Sequence, residues 1–279
     1  MSFKTILVHV DDNPHCKQRL DVAVRFALHF EAKLVGIYLV ATAELTPSVA
    51  ALLPADVVAR RLRETGEAQT EAETLFRQAT IAAGLTAIDW RAPSGKPVSA
   101  AVAHARCADL AVIGQPDPDQ PDFVFLEELA QTVALSAGRP TLILPYVAPV
   151  TSPGQSVLVA WDGGREASRA IADAMPILTR ARQVDVMLIR AGTEENAVDA
   201  PWRSLLASYL GSHGIDAKIH HHDIADISVG DWLLSRAADL GTDLIVMGAY
   251  AHTRLRDLVL GGVTRTMLRS MTVPVLMSH

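Results

Sequence analysis

The chain is poor in three things, and each shortage excludes a class of protein. Cysteine occurs only twice in 279 residues, as Cys16 and Cys107, so no disulfide framework organises the fold. No apolar run reaches the ~18 residues of a membrane span, and the run near the N-terminus is too short for a secretory leader. Basic residues are outnumbered, 25 Lys and Arg against 31 Asp and Glu, for a net charge of −6. That balance lacks the basic face general nucleic-acid binding uses. The expectation is a cytoplasmic protein that works on neither membranes nor nucleic acids. What the chain does have is apolar residues, 49% against 20% charged, enough for a large core. Its length leaves room for two domains of about 100–150 residues each.

Those apolar residues arrive in an alternating order. Residues 5–10 form a β-branched run ending at Asp11, the pattern of a parallel strand buried on both faces. Residues 14–31 carry a helical stripe at Leu20, Val24, Ala27 and Leu28. Strands are expected at 34–40, 88–92, 108–114 and 141–144. Helices are expected at 55–83, 97–106 and 123–137, and residues 41–54, with Pro47 and Pro54, read as irregular.

The pattern then restarts. Residues 147–155, with Pro149, Pro153 and Gly154, read as a linker between a domain of residues 1–146 and one of 156–279. Residues 156–162 repeat 5–11, both ending in Asp, and 242–248 echo 108–114, both ending in Gly. Between them, helices are expected at 165–181, 202–213 and 229–240 and strands at 184–189 and 218–222. The final strand at 273–277 echoes 139–143. Gly248 minus Gly114 is 134, and so is Pro274 minus Pro140, whereas Asp162 minus Asp11 is 151. The first half therefore carries 17 extra residues, placed in 41–83. Strand-helix alternation implies parallel pairing with right-handed crossovers. The expected fold is α/β: two tandem three-layer αβα domains, each with a five-stranded parallel sheet. Ligands on such sheets bind outside the C-terminal strand ends, at the switch point.

The stretch from Leu244 to Arg265 is the best candidate for a site. An apolar run ends on Gly248, a short polar loop follows, and Gly261 and Gly262 open a helix. Such a helix start can present backbone N–H groups to an anion. Together with the strands ending in Asp11 and Asp162 and the terminal Val273 to Leu276, these residues resemble the universal stress protein family in its tandem form. Nucleotide-binding members of that family carry Gly, two residues, Gly, nine residues, then Gly followed by Ser or Thr. Here Gly248, Ala251 and Gly261-Gly262 match that spacing, with Ala251 for the second glycine and Gly262 for the hydroxyl residue.

The resemblance implies an adenine-nucleotide alpha hydrolase-like fold, arranged as an intramolecular pseudo-dimer through the matching last strands at 141–144 and 273–277, with a homodimer as a further form. It implies ATP or another adenine nucleotide, with or without magnesium, held by Asp162, Gly163, Gly248, Ala251, His252, Arg254, Gly261, Gly262 and Val263. Arg256 and Arg265 lie nearby in sequence as further cations. It also implies a regulatory protein of the stress response in which binding, rather than turnover, is the output. Two other readings stay open: a slow ATPase, for which only Asp162 and Asp257 can be nominated, and a scaffold or small-ligand-binding protein whose nucleotide sites have decayed. No catalytic group is assigned and no protein partner is identified; in the scaffold reading the acidic loop 115–122 and the helix 55–83 would be the partner surfaces.

The first half reads differently. Subtracting 134 sets Asp117 against Ala251, and Glu127 and Glu128 against Gly261 and Gly262, so carboxylates stand where phosphates should rest. The loop 115–122 has three prolines, which lack the N–H a phosphate needs. Elsewhere, His220 and His222 share one strand face and His221 the other, too few for a metal site, so a solvated strand end is expected. Cys107 reads as a buried structural thiol, and Cys16 as a thiol near a helix start. A fragment of residues 1–145 is expected to give no saturable heat when titrated with ATP analogues in a calorimeter.

Overall fold

The computed structural model describes residues 2–39, 51–191, 202–224, 228–249, 251–252, 259–260 and 262–279. The chain divides into two compact units, Phe3–Val133 and Ala134–His279. Each is a mostly parallel sheet with helices on both faces.

In the first unit the strands are β1 (Thr5–Val10), β2 (Lys33–Tyr38), β3 (Ile88–Arg91) and β4 (Leu110–Gly114). They lie in the order β3-β2-β1-β4, all parallel. Every residue of β4 and all but the first of β1 are buried, which is why these strands read as continuous apolar runs. The helices are α1 (Cys16–Phe30), α2 (Ala55–Ala82), α3 (Pro97–Ala105) and α4 (Phe123–Ser136). Of the 28 residues of α2, only Ala72, Phe76 and Thr80 are buried. Phe76 and Trp90 meet at 5.4 Å between ring centroids, directly over Gly36 of β2. A Cβ on Gly36 would fall 2.8 Å from Trp90 and 2.9 Å from Phe76, so this glycine is the space in which the long helix docks.

The second unit contains β5 (Thr141–Leu144), β6 (Ser156–Trp161), β7 (Gln183–Ala191), β8 (Ala217–Ile224), β9 (Leu244–Gly248) and, after the two-residue strands β10 (Ala251–His252) and β11 (Val259–Leu260), β12 (Val275–Ser278). Its helices are α5 (Arg165–Leu178), α6 (Trp202–Ser212), α7 (Val229–Asp239) and α8 (Gly262–Ser270). The sheet order is β5-β12-β9-β6-β7-β8. The five strands of the second repeat, β12-β9-β6-β7-β8, are all parallel, as expected, and β5, the last strand of the first repeat, pairs antiparallel with β12, with Leu276 opposite Leu142. These are the two matching last strands, and both are buried throughout, so the ladder they form is apolar.

The repeated Asp of the two strand-entry motifs has a structural explanation. Asp109 accepts hydrogen bonds from the backbone N–H groups of Lys4 and Thr5, at 2.8 and 2.9 Å. Its counterpart 134 residues on, Asp243, accepts from Gly154, Gln155 and Ser156, at 2.7 to 3.1 Å. Each carboxylate satisfies donors where the chain enters the central strand, before the ladder can do so. Among the described residues, no helix is long and apolar enough to cross a membrane.

Leu142 and Leu276 are fully buried, so Leu142→Ala and Leu276→Ala are each expected to cost about 2–5 kcal/mol. Because the two residues face each other, the double variant should cost less than the sum in urea-unfolding measurements.

Candidate ligand site

In the second unit, β6 and β9 are neighbours, and the strands on either side run away in opposite directions along the chain. Their C-terminal ends are therefore the switch point. Asp162 follows β6 and is exposed. Its Oδ1 accepts the N–H of Gly164 at 2.8 Å, an Asx turn that leads into α5. Gly163 sits in this turn at φ +80°, a conformation that favours glycine. Gly248 ends β9, and the first turn of α5 lies directly on it. A Cβ there would fall 2.7 Å from the Glu166 carbonyl carbon and 2.8 Å from the Ala167 nitrogen. Asp162, Gly163 and Gly248 thus come together, and Gly248 is glycine because a helix packs on it.

The chain leaving β9 is held by Ser278 and His279. Ala249 N–H donates to the Ser278 carbonyl at 2.7 Å, and the His279 ring Nδ1 donates to the Ala249 carbonyl at 2.8 Å. Ala251 and His252 do not lie in an open loop as expected. They form a short antiparallel ladder, opposite Leu260 and Val259. Gly262 begins α8 and is exposed, and a Cβ added to it would meet nothing within 4 Å. Val263 is half-buried and Arg265 exposed in the same first turn. Arg254, Arg256, Asp257 and Gly261 lie outside the described residues. Also in this unit is a cleft of about 310 Å³, lined by Trp161, Ser168, Ile171, Leu205, Leu206 and Tyr209.

The first unit builds the same strand ends with different chemistry. Asp11 follows β1 as Asp162 follows β6, but it is only 6% exposed. Arg19 of α1, 2% exposed, donates from Nη2 to Asp11 Oδ1 and from Nε to the His9 carbonyl at 2.6 Å. His9 is also buried, with Nδ1 3.4 Å from Asp11 Oδ2. Burial pushes the Asp11 carboxyl up, but the Arg19 guanidinium, His9 and the hydrogen bonds from Arg19 and the Asn13 N–H together outweigh it and hold the carboxyl below its usual range. Burial pushes the His9 imidazole down from 6.5 to about 4, against the pull of Asp11. With the offset of 151, His9 and Arg19 correspond to Ala160 and Ala170. Sequence reasoning misses Arg19. The signal that could find it is its place as the one charged residue on the buried face of α1.

Three expectations need correction. Helix α4 begins at Phe123, so Glu127 and Glu128 fall in its second turn and not at its start. Tight turns at 117–120 and 120–123 bring the chain into the helix early, and Asp117 organises them by accepting from Asp119 N–H at 3.0 Å and facing His15 Nε2 at 3.1 Å. The histidine run is only in part a solvated strand end, because His221 is exposed while its two neighbours are half-buried. His220 Nε2 pairs with buried Asp185 at 2.7 Å, and His222 lies against Trp232 at 4.7 Å. No group of three metal-donor side chains converges among the described residues. Cys107 is exposed, whereas Cys16 is buried and burial pushes its thiol up.

The buried imidazole carries a pH dependence. Below 6.5 the unfolded chain protonates His9 while the folded chain refuses the proton down to about 4. Stability is therefore complete above this window and falls as pH drops through it, by about 3 kcal/mol if the whole shift is realised. His9→Phe should flatten that slope in chemical unfolding followed between neutral and acid pH.

Comparison with known proteins bears on the whole chain. A universal stress protein from Archaeoglobus fulgidus DSM 4304 is 16% identical, with 98% of this chain and 97% of that chain covered at a TM-score of 0.75. A putative universal stress protein from Pseudomonas aeruginosa UCBPP-PA14 is 16% identical, with 99% and 93% covered at 0.58. A functionally unknown protein from Pseudomonas aeruginosa PAO1 is 15% identical, with 99% and 92% covered at 0.59. These likenesses are of fold. No curated protein sequence matches the chain significantly. The profile of the Universal stress protein family matches residues 2–145 and again 154–279, so the chain belongs to that family as a tandem of two such domains.

Proposed function

We propose that the second unit binds an adenine nucleotide, ATP foremost, across the C-terminal ends of β6 and β9 and the start of α8. The observation that carries this reading is the meeting of Asp162, Gly163 and Gly248 at one switch point, with the glycine spacing of nucleotide-binding family members running on to Gly262. Exposed Asp162 offers an acceptor to the base or ribose. The first turn of α8 offers the N–H groups of Gly262 and Val263 to phosphate oxygens, assisted by the helix dipole. His252, Arg254 and Arg265 supply positive charge along the same stretch, and magnesium accompanies the triphosphate. Ala251 keeps the small side chain that close backbone approach needs. The output of such a site is binding, as part of a regulatory role in stress response. The first unit, with its carboxylate buried and paired, takes no phosphate.

Calorimetric titration of the whole chain with ATP and magnesium should give saturable binding of one nucleotide per chain. Gly262→Ser supplies the missing hydroxyl in space that is already open, and should tighten binding about tenfold. Asp162→Ala should weaken it by a similar factor, about tenfold. No binding at millimolar ATP would sink the proposal.

A further inference from the structure

A guanidinium withdrawn from water is tolerated only where acceptors surround it. Arg19 finds them at one place. Its Nε donates to the carbonyl of His9 in β1, and its Nη2 to the Asp11 carboxylate just after β1. Its Nη1 lies against Gly114, the last residue of β4, where a Cβ would fall 2.4 Å away. The guanidinium therefore spans the C-terminal ends of β1 and β4, which are the two neighbouring strands at the first unit's own switch point. An open α/β sheet takes its ligand there. In the second unit Ala170 holds the matching helix position, and the first turn of α5 packs straight onto Gly248.

We infer that Arg19 is an internal ligand: the crevice between β1 and β4 is shaped and charged for a guanidinium, holds its own, and is thereby closed to anions. The chemistry of the lining agrees at each point. A carbonyl and a carboxylate are acceptors only, so they select a multi-donor cation and repel phosphate. Gly114 leaves room for a flat group against the backbone. The surroundings are acidic as well: burial holds the half-buried carboxyl of Asp122 above its usual range, and the charges of Asp11 and, less, Asp12 add to it. The resulting crevice differs in kind from an eroded nucleotide site, because its polar groups are matched to a cation of planar, forked shape.

The experiment is chemical rescue in the full chain. Arg19→Ala leaves a guanidinium-shaped vacancy facing Asp11. Its melting temperature should drop well below that of the natural chain, and millimolar methylguanidinium should raise it again while leaving the natural chain unmoved. Urea, of the same shape but uncharged, and sodium phosphate should give no such rise. An equal response from both proteins, no response from the variant, or a rise with phosphate in place of methylguanidinium would overturn the inference. If Arg19→Ala does not accumulate folded, Arg19→Lys decides. Lysine keeps the charge but cannot bond the His9 carbonyl and Asp11 together in one plane, so it should melt below the natural chain, and equal melting would show that charge alone is used. This readout does not depend on nucleotide binding by the second unit, so either conclusion can fail without the other.

Discussion

A carboxylate at the end of a buried parallel strand must be either hydrated or neutralised, and the two units of this protein differ first in which solution they use. Both central strands end in Asp, at 11 and at 162. Asp162 stays in solvent and spends one oxygen on the turn into its helix. Asp11 is drawn inside and is matched by Arg19, with His9 beside it held neutral by burial. The consequences spread outwards. A helix carrying alanine at the decisive position can lie directly on the neighbouring strand end, whereas a helix carrying arginine lays its guanidinium there. One repeat keeps an accessible acceptor at its switch point, and the other encloses it.

What the repeats share is equally physical. Asp109 and Asp243 each gather the backbone donors of the segment entering the central strand, a need that arises wherever a parallel strand begins beyond its neighbours' reach. The last strands share a buried apolar character, and that allows β5 and β12 to join as an antiparallel ladder. The 17 additional residues of the first half are absorbed around the long helix α2, whose docking is localised at Phe76 and Trp90 over Gly36.

Much of the fold was legible because parallel strands buried on both faces leave unbroken apolar runs, and because two copies of one pattern check each other. The strand ends Asp162 and Gly248 were legible for the same reason. Less visible was why each residue is there. Gly248 reads from sequence as a place of close backbone approach, and the structure adds a second demand on it, the packing of α5. Ala251 and His252 read as loop and form a ladder, since a two-residue pairing leaves no periodicity to detect. Glu127 and Glu128 keep their places in the count but not in space, because the turns organised by Asp117 start the helix earlier.

The tandem α/β architecture, the family and the candidate strand ends follow from period, spacing and composition, all of which are local and can be read along the chain. Which Asp is exposed, the pairing of His220 with buried Asp185, and the reach of Arg19 from a helix to the ends of two strands emerge from packing alone. Those outcomes depend on which side chains meet across the sheet, and a buried charge declares its partner only when the elements carrying both are packed together.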